Sequence, residues 1–168
     1  MNSSKSQKTR IRVRVGFGID VHRLQEGSTL RLGGVSIPFH KSLEGHSDAD
    51  VLLHAICDAL LGAANLGDIG AHFPDTSDDF KGINSLILLG KTAELIRNKG
   101  FNIGNIDCTL ALQEPKIAPY IPQMKTAISN ALQLPCDDIS IKATTTEHLG
   151  YEGRGEGVTA YATVLLGR

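Results

Sequence analysis

The stretch "SDADVLLHAICDALLGAANLGD", Ser47 to Asp68, most constrains what this chain can fold into. Its apolar residues recur at helical spacing, Ser47 is placed to cap the N-terminus, and Asp48 and Asp50 suit a first turn. The flanking segments supply a sheet for such a helix to cover. "RIRVRVGFGIDVH" alternates as a half-buried strand, and "TLRLGGVSIPF" reads as a hairpin turning at Gly33-Gly34, with Pro38 marking an edge. A second helix is expected from about Ser85 to Lys99, stopping at Gly100, and a third from about Ile121 to Leu132. "IDCTLALQ", "ISIKATT" and "VTAYATVLL" read as further strands. With no repeat or linker, the pattern predicts one α/β domain of the α+β type, a mixed β-sheet with helices packed on one face.

Composition narrows the function classes. The 168 residues are 41% hydrophobic, enough for one core, and the expected domain spans 12–168. The opening "MNSSKSQKTR" has no apolar run behind it, so residues 1–11 read as a disordered tail rather than a secretory signal. A net charge of -1 supplies no basic field for nucleic acid, and 5% aromatic content with no Trp supplies no stacking platform. No apolar segment approaches the roughly 18 residues of a membrane helix. Three widely spaced cysteines without a C-x-x-C pair fit a reducing, cytoplasmic setting, and Cys57 reads as a buried inert thiol.

Polar residues gather at four places. In "IDVHRL", Asp20 and His22 are two apart and project from the same strand face, opposite Ile19 and Val21. They are either a polar edge facing water or part of a metal site. His54 lies mid-helix among apolar residues, with Asp50 four before it and Asp58 four after on the same face. A core histidine is the plain alternative for His54. As a ligand it would give its second ring N–H to Asp58 or Asp50, and Asp20, His22 and His54 would suit Zn²⁺ with one position open. "EGHSDAD" sets His46 and Ser47 before the helix N-terminus, where an anion is favoured. "GDIGAHFPDT" holds Asp68, His72 and Asp75 in a loop that is functional or simply a tight turn. "KATTTEHLGYEGRGEG" offers threonine hydroxyls, Glu147 and Arg154 for phosphate and Mg²⁺, or else is a strand end and a flexible loop.

Together "GIDVHRL", "GHSDADVLLHAICDALLGAANLGDIGAHFPDT", "QEPKIAPYIPQM" and "IKATTTEHLGYEGRGEG" closely resemble the 2-C-methyl-D-erythritol 2,4-cyclodiphosphate synthases, from about Val13 to Leu166. The resemblance implies a homotrimer with active sites between subunits. It implies conversion of 4-diphosphocytidyl-2-C-methyl-D-erythritol 2-phosphate to the cyclic diphosphate with release of CMP. Asp20, His22 and His54 match the family's zinc ligands, one ion per subunit. Glu147 matches the holder of a second ion, Mg²⁺ or Mn²⁺, that comes with substrate. His46 and Thr145 match positions credited with transition-state stabilisation. Ser47 belongs to the same substrate-binding loop as His46, Thr144, Thr145 and Thr146 fall in the phosphate-contacting segment, and Asp68, Ile69 and Gly70 match ribose or methylerythritol contacts. Phe73, Pro74, Asp75, Thr76 and Ser77 match the mobile substrate loop.

The cytosine pocket is implied for Leu112, Gln113, Glu114, Pro115, Lys116, Ile117 and Ala118. Tyr151 and Arg154 match further substrate positions. Arg154 and Glu156 also match a channel on the threefold axis that can hold a prenyl diphosphate. The chain departs from the family pattern at Phe17, Ile19, Glu114 and His148, none of them a ligand. Two alternatives remain: a metal-dependent phosphohydrolase on a nucleotide diphosphate, and a non-catalytic trimer that binds prenyl diphosphates or cytidine nucleotides.

Overall fold

In a computed structural model, residues 12–45, 47–74 and 82–168 are described. Among the described residues there are seven strands and five helices. They are β1 (Val13–Glu26), β2 (Thr29–Leu32), β3 (Val35–Pro38), β4 (Lys41–Leu43), α1 (Val51–Ala64), α2 (Ile69–His72), α3 (Ser85–Asn98), β5 (Asn102–Ala111), α4 (Ile121–Leu132), β6 (Ile139–Thr144), α5 (Gly150–Gly153) and β7 (Gly157–Gly167). The expected elements occur in the expected order, and β4, α2 and α5 are additional short ones. Five strands form one mixed sheet in the order β4-β1-β7-β5-β6, with only β5 and β6 parallel, joined by a crossover through α4. β2 and β3 form a separate hairpin turning through Gly33 and Gly34, both at positive φ (57° and 78°), as a two-residue turn of this kind requires.

β1 pairs antiparallel with β7, so Gly16, Gly18, Asp20 and His22 lie opposite Val164, Ala162, Ala160 and Val158 on one face. Those β7 residues are buried with α1 and form the core, joined by Ile106, Cys108 and Leu110 of β5. The helices cover this single face, as expected. α1 is buried on nearly every side; only His54, Asp58 and Gly62, spaced four apart, escape full burial. Its N-cap is Asp50 rather than Ser47: the Asp50 carboxylate accepts from Leu53 N and also from the hairpin amides of Gly33 and Gly34, at 3.2, 2.9 and 2.6 Å. That carboxylate is fully buried, and it locks the hairpin tip to the helix start.

The strand–helix contact is close because two glycines allow it. A Cβ on Gly18 would stand 2.1 Å from the Ala55 carbonyl oxygen, and one on Gly16 would stand 1.9 Å from that of Ala59. Two residues of strand advance about 6.6 Å and four of helix about 6 Å. The two elements therefore stay in step, Gly16 against Ala59 and Gly18 against Ala55; one step further Asp20 faces the first turn of α1, where its carboxylate meets His54 Nδ1 at 3.1 Å. The opposite face of β1 carries the apolar set: Val13, Val15, Phe17, Ile19 and Val21 are all exposed in the single chain, Val15 by 67% and Phe17 by 62%.

Candidate active site

Asp20, His22 and His54 converge. Asp20 Oδ2 lies 3.0 Å from His22 Nε2 and 3.1 Å from His54 Nδ1, and the two ring nitrogens are 3.3 Å apart. The donor edges of a tetrahedral zinc site are about 3.3 Å, given metal–ligand distances near 2.0–2.1 Å. The triangle thus fits such an ion with little rearrangement, and among the described residues it is the only cluster of three or more His, Cys, Asp or Glu with metal-ligand spacing. Burial pulls the Asp20 carboxyl upward, but the two imidazoles outweigh it and hold Asp20 well below the usual carboxylate range. Burial lowers the His22 pKa, and Asp20 more than reverses that.

His22 is held in a defined tautomer. Its Nδ1–H donates to the Glu44 carbonyl oxygen at 2.7 Å, because a carbonyl can only accept. Nε2 then offers its lone pair to the space beside Asp20. The other nitrogen of His54, Nε2, meets neither Asp50 nor Asp58, contrary to the sequence-based expectation. Asp50 is occupied as the α1 cap, and Asp58 accepts instead from the Ile69 amide at 2.7 Å. Burial raises the pKa of both carboxyls, and their backbone donors partly offset that. His54 Nε2 lies instead 3.0 Å from Ser85 Oγ and 3.2 Å from Ser47 Oγ. Spacing could not have shown Ser85, because it lies 31 residues away and reaches the ring only through α3 packing on α1.

The triad opens into a cavity of about 230 Å³ that Ser47, Ile69, Gly70 and Phe73 also line. Asp68 serves as the α2 N-cap, accepting from Ala71 N at 2.9 Å, and so fixes the turn that carries Ile69 and Gly70. Pro74 follows, exposed. His46, Asp75, Thr76 and Ser77 lie outside the described residues.

The sequence model of the YgbB family matches residues 13–167. The chain belongs to the YgbB family. It is 63% identical over 154 residues to 2-C-methyl-D-erythritol 2,4-cyclodiphosphate synthase of Syntrophobacter fumaroxidans, covering 92% of this chain and 97% of that one. Among solved structures it resembles the bifunctional IspDF from Campylobacter jejuni, with a TM-score of 0.90 and 43% identity over 94% of this chain; the match spans only 42% of that longer chain. It also resembles Plasmodium falciparum IspF in complex with CDP, with a TM-score of 0.81, 36% identity, and coverage of 92% and 95%.

The remaining candidate residues of this YgbB chain fall in separate places. Leu112, Gln113, Pro115, Lys116, Ile117 and Ala118 line a groove of about 190 Å³ with Thr144 and Thr145. Glu114 is absent from that lining and instead lines a separate cavity with His148 and Arg154. Glu147 (φ 53°) and His148 (φ 65°) both adopt the left-handed conformation, at about 1–2 kcal/mol each. One distant and two local bonds hold them there: His148 N donates to Gln113 Oε1 at 3.2 Å, Leu149 N to Thr146 O at 2.9 Å, and Thr146 Oγ1 to Leu149 O. The Glu147 carboxylate thus stands beside the groove, accepting from Thr145 Oγ1 at 2.8 Å. Tyr151 and Arg154 line a third and larger cavity, about 570 Å³, with Arg23 and Lys41; Tyr151 pairs with Thr159, and Arg154 makes a two-pronged ion pair with Glu156. The triad cavity and the 112–118 groove share no lining residue.

Proposed function

We propose that this chain is a 2-C-methyl-D-erythritol 2,4-cyclodiphosphate synthase of non-mevalonate isoprenoid precursor biosynthesis. It converts 4-diphosphocytidyl-2-C-methyl-D-erythritol 2-phosphate to the cyclic diphosphate and CMP. The observation that carries this reading is the convergence of Asp20 Oδ2, His22 Nε2 and His54 Nδ1 at one cavity, in a chain similar along nearly its whole length to such a synthase. The CDP complexes among similar structures support a cytidine diphosphate derivative as substrate.

Asp20, His22 and His54 would hold zinc and Glu147 Mg²⁺ or Mn²⁺; such ions supply Lewis-acid neutralisation of phosphoryl oxygens. The substrate brings its own nucleophile, the 2-phosphate, which attacks the β-phosphorus as the CMP oxygen leaves. The protein therefore needs no nucleophilic side chain, and its task is to place the two phosphates together, worth about 7–11 kcal/mol in well-oriented cases. Backbone groups of 112–118 read the cytosine edge, with Lys116 on the wall. The hydroxyls of Thr144, Thr145 and Thr146 and the segment at His46 and Ser47 hold phosphate oxygens. Asp68, Ile69 and Gly70 position the sugar portions, and Phe73 to Ser77 supply further substrate contacts.

The working unit is a homotrimer with each site shared between copies. Two features favour this: the apolar β1 face is left exposed by the described residues of one chain, and among those residues the metal cavity and cytosine groove are separate. The cytoplasm suits its three free cysteines.

Phosphorus NMR of the product tests the function. A cyclic diphosphate with CMP, lost on zinc stripping and restored by zinc, is expected. A linear product would point to a phosphohydrolase, and no turnover by metal-loaded protein to a binding role.

A further inference from the structure

Ser85 and Asp48 form a chain of hydrogen bonds behind His54. Asp48 Oδ1 accepts the hydroxyl hydrogen of Ser85, and Asp48 Oδ2 accepts Ser85 N at 3.2 Å. Arg31 Nε stands 3.3 Å from the same Oδ2, an ion pair without hydrogen-bond alignment. Ser85 is fully buried, so its hydroxyl has no water to turn to. An ionised carboxylate only accepts, so the Ser85 hydrogen is committed to Asp48. At 3.0 Å from His54 Nε2, Ser85 Oγ can then only accept. The proton of the neutral ring is drawn to Nε2, and the lone pair stays on Nδ1, the nitrogen facing Asp20 and His22.

We infer that Asp48 and Ser85 are positioning residues that set the His54 tautomer for metal binding, a pairing that rests on the proposed metal site. His22 gains the same control from one carbonyl, Glu44. His54 sits in the first turn of α1 rather than mid-helix, where backbone carbonyls are still taken by the helix, and uses a two-residue relay from α3 and the loop before α1 instead. Ser47 Oγ, at 3.2 Å, has no such commitment, because it accepts from Ala49 N and keeps its own hydrogen free to point either way.

The relay makes an unusual prediction for a near-isosteric change. In Asp48→Asn one oxygen remains, and the Ser85 N–H donor together with the Arg31 guanidinium charge beside the Oδ2 position holds it there. The amide NH₂ then faces Ser85 Oγ and donates to it. The Ser85 hydroxyl turns round and donates to His54 Nε2, which moves the ring proton to Nδ1 and points it at the metal position. Ser85→Ala only removes the acceptor and leaves Ser47 as partner.

The test is nitrogen NMR of the His54 ring in metal-free protein at about pH 8, above the ordinary histidine pKa, with zinc affinity measured by chelator competition on the same samples. Expected are an Nε2–H ring in the parent, an Nδ1–H ring in Asp48→Asn with zinc bound about 10–100-fold more weakly, and a smaller loss in Ser85→Ala. An Nδ1–H ring in the parent, or an unchanged tautomer and zinc affinity in Asp48→Asn, overturns the inference. If Asp48→Asn does not fold, Ser85→Ala decides, and an unchanged ring and affinity there overturns it equally. A parent with an Nε2–H ring that binds no zinc sinks the metal reading instead and leaves the relay's hold on the ring in place.

Discussion

Gly18→Ala joins the packing of β1 to the spacing of the metal ligands. The added Cβ would stand 2.1 Å from the Ala55 carbonyl oxygen and 2.7 Å from Ala59 N, both rigid helix backbone. Real Cβ contacts essentially never fall below 3.0 Å, so strand and helix must part by about 0.9 Å. Asp20 and His22 travel with the strand while His54 stays with the helix. The 3.1 Å edge between Asp20 and His54 then opens to about 4 Å, beyond the roughly 3.3 Å edge that tetrahedral zinc accepts. Overpacking should cost about 1–3 kcal/mol of stability. Zinc should bind at least about tenfold more weakly, and turnover should fall about 100-fold, the scale of a 1 Å misplacement. Thermal unfolding and chelator competition on one preparation read both effects. A variant that loses stability but keeps parental zinc affinity would refute the idea that this contact sets the ligand spacing.

Gly62→Ala is the opposite case. Among the described residues nothing lies within 4 Å of the new Cβ, and α1 should gain about 0.5–1 kcal/mol, read as a higher unfolding midpoint with unchanged zinc affinity. Burial pushes the Cys57 and Cys108 thiols up to about 12, whereas Cys136 is exposed. A thiol reagent at about pH 8 should therefore label one cysteine per folded chain and three after denaturation; fast labelling of Cys57 would contradict its burial. Glu147→Gln should retain zinc and need more Mg²⁺ for half-maximal turnover, and an unchanged Mg²⁺ dependence would remove Glu147 as the second-ion ligand.

Much of this was legible in the sequence, for physical reasons that differ between elements. The Gly33-Gly34 hairpin, the stop at Gly100 and the period of α1 rest on local backbone chemistry, and each stands where expected. Asp20 and His22 were legible as a same-face pair because a strand repeats every two residues. Alternation alone does not say which face of β1 meets the helix. The face with more apolar side chains points outward, and the buried one is marked by Gly16 and Gly18, where side chains would strike the α1 backbone.

On sequence alone Ser47 is the expected cap and Asp50 a first-turn residue of α1. Asp50 became the cap because two hairpin amides, distant in sequence, also bond to it. The same limit hid Ser85, whose contact with His54 exists only once α3 packs on α1. Asp58 was drawn away from His54 by the Ile69 amide, a bond that only the α2 turn creates.

The most direct test of the site is a crystal of the protein grown with zinc and CDP, measured at the zinc absorption edge. The expected map has one anomalous peak per subunit, within about 2.0–2.2 Å of Asp20 Oδ2, His22 Nε2 and His54 Nδ1. The cytosine should lie in the 112–118 groove of a neighbouring copy. A map with no peak between those three atoms, or with zinc and cytidine bound elsewhere, would contradict it.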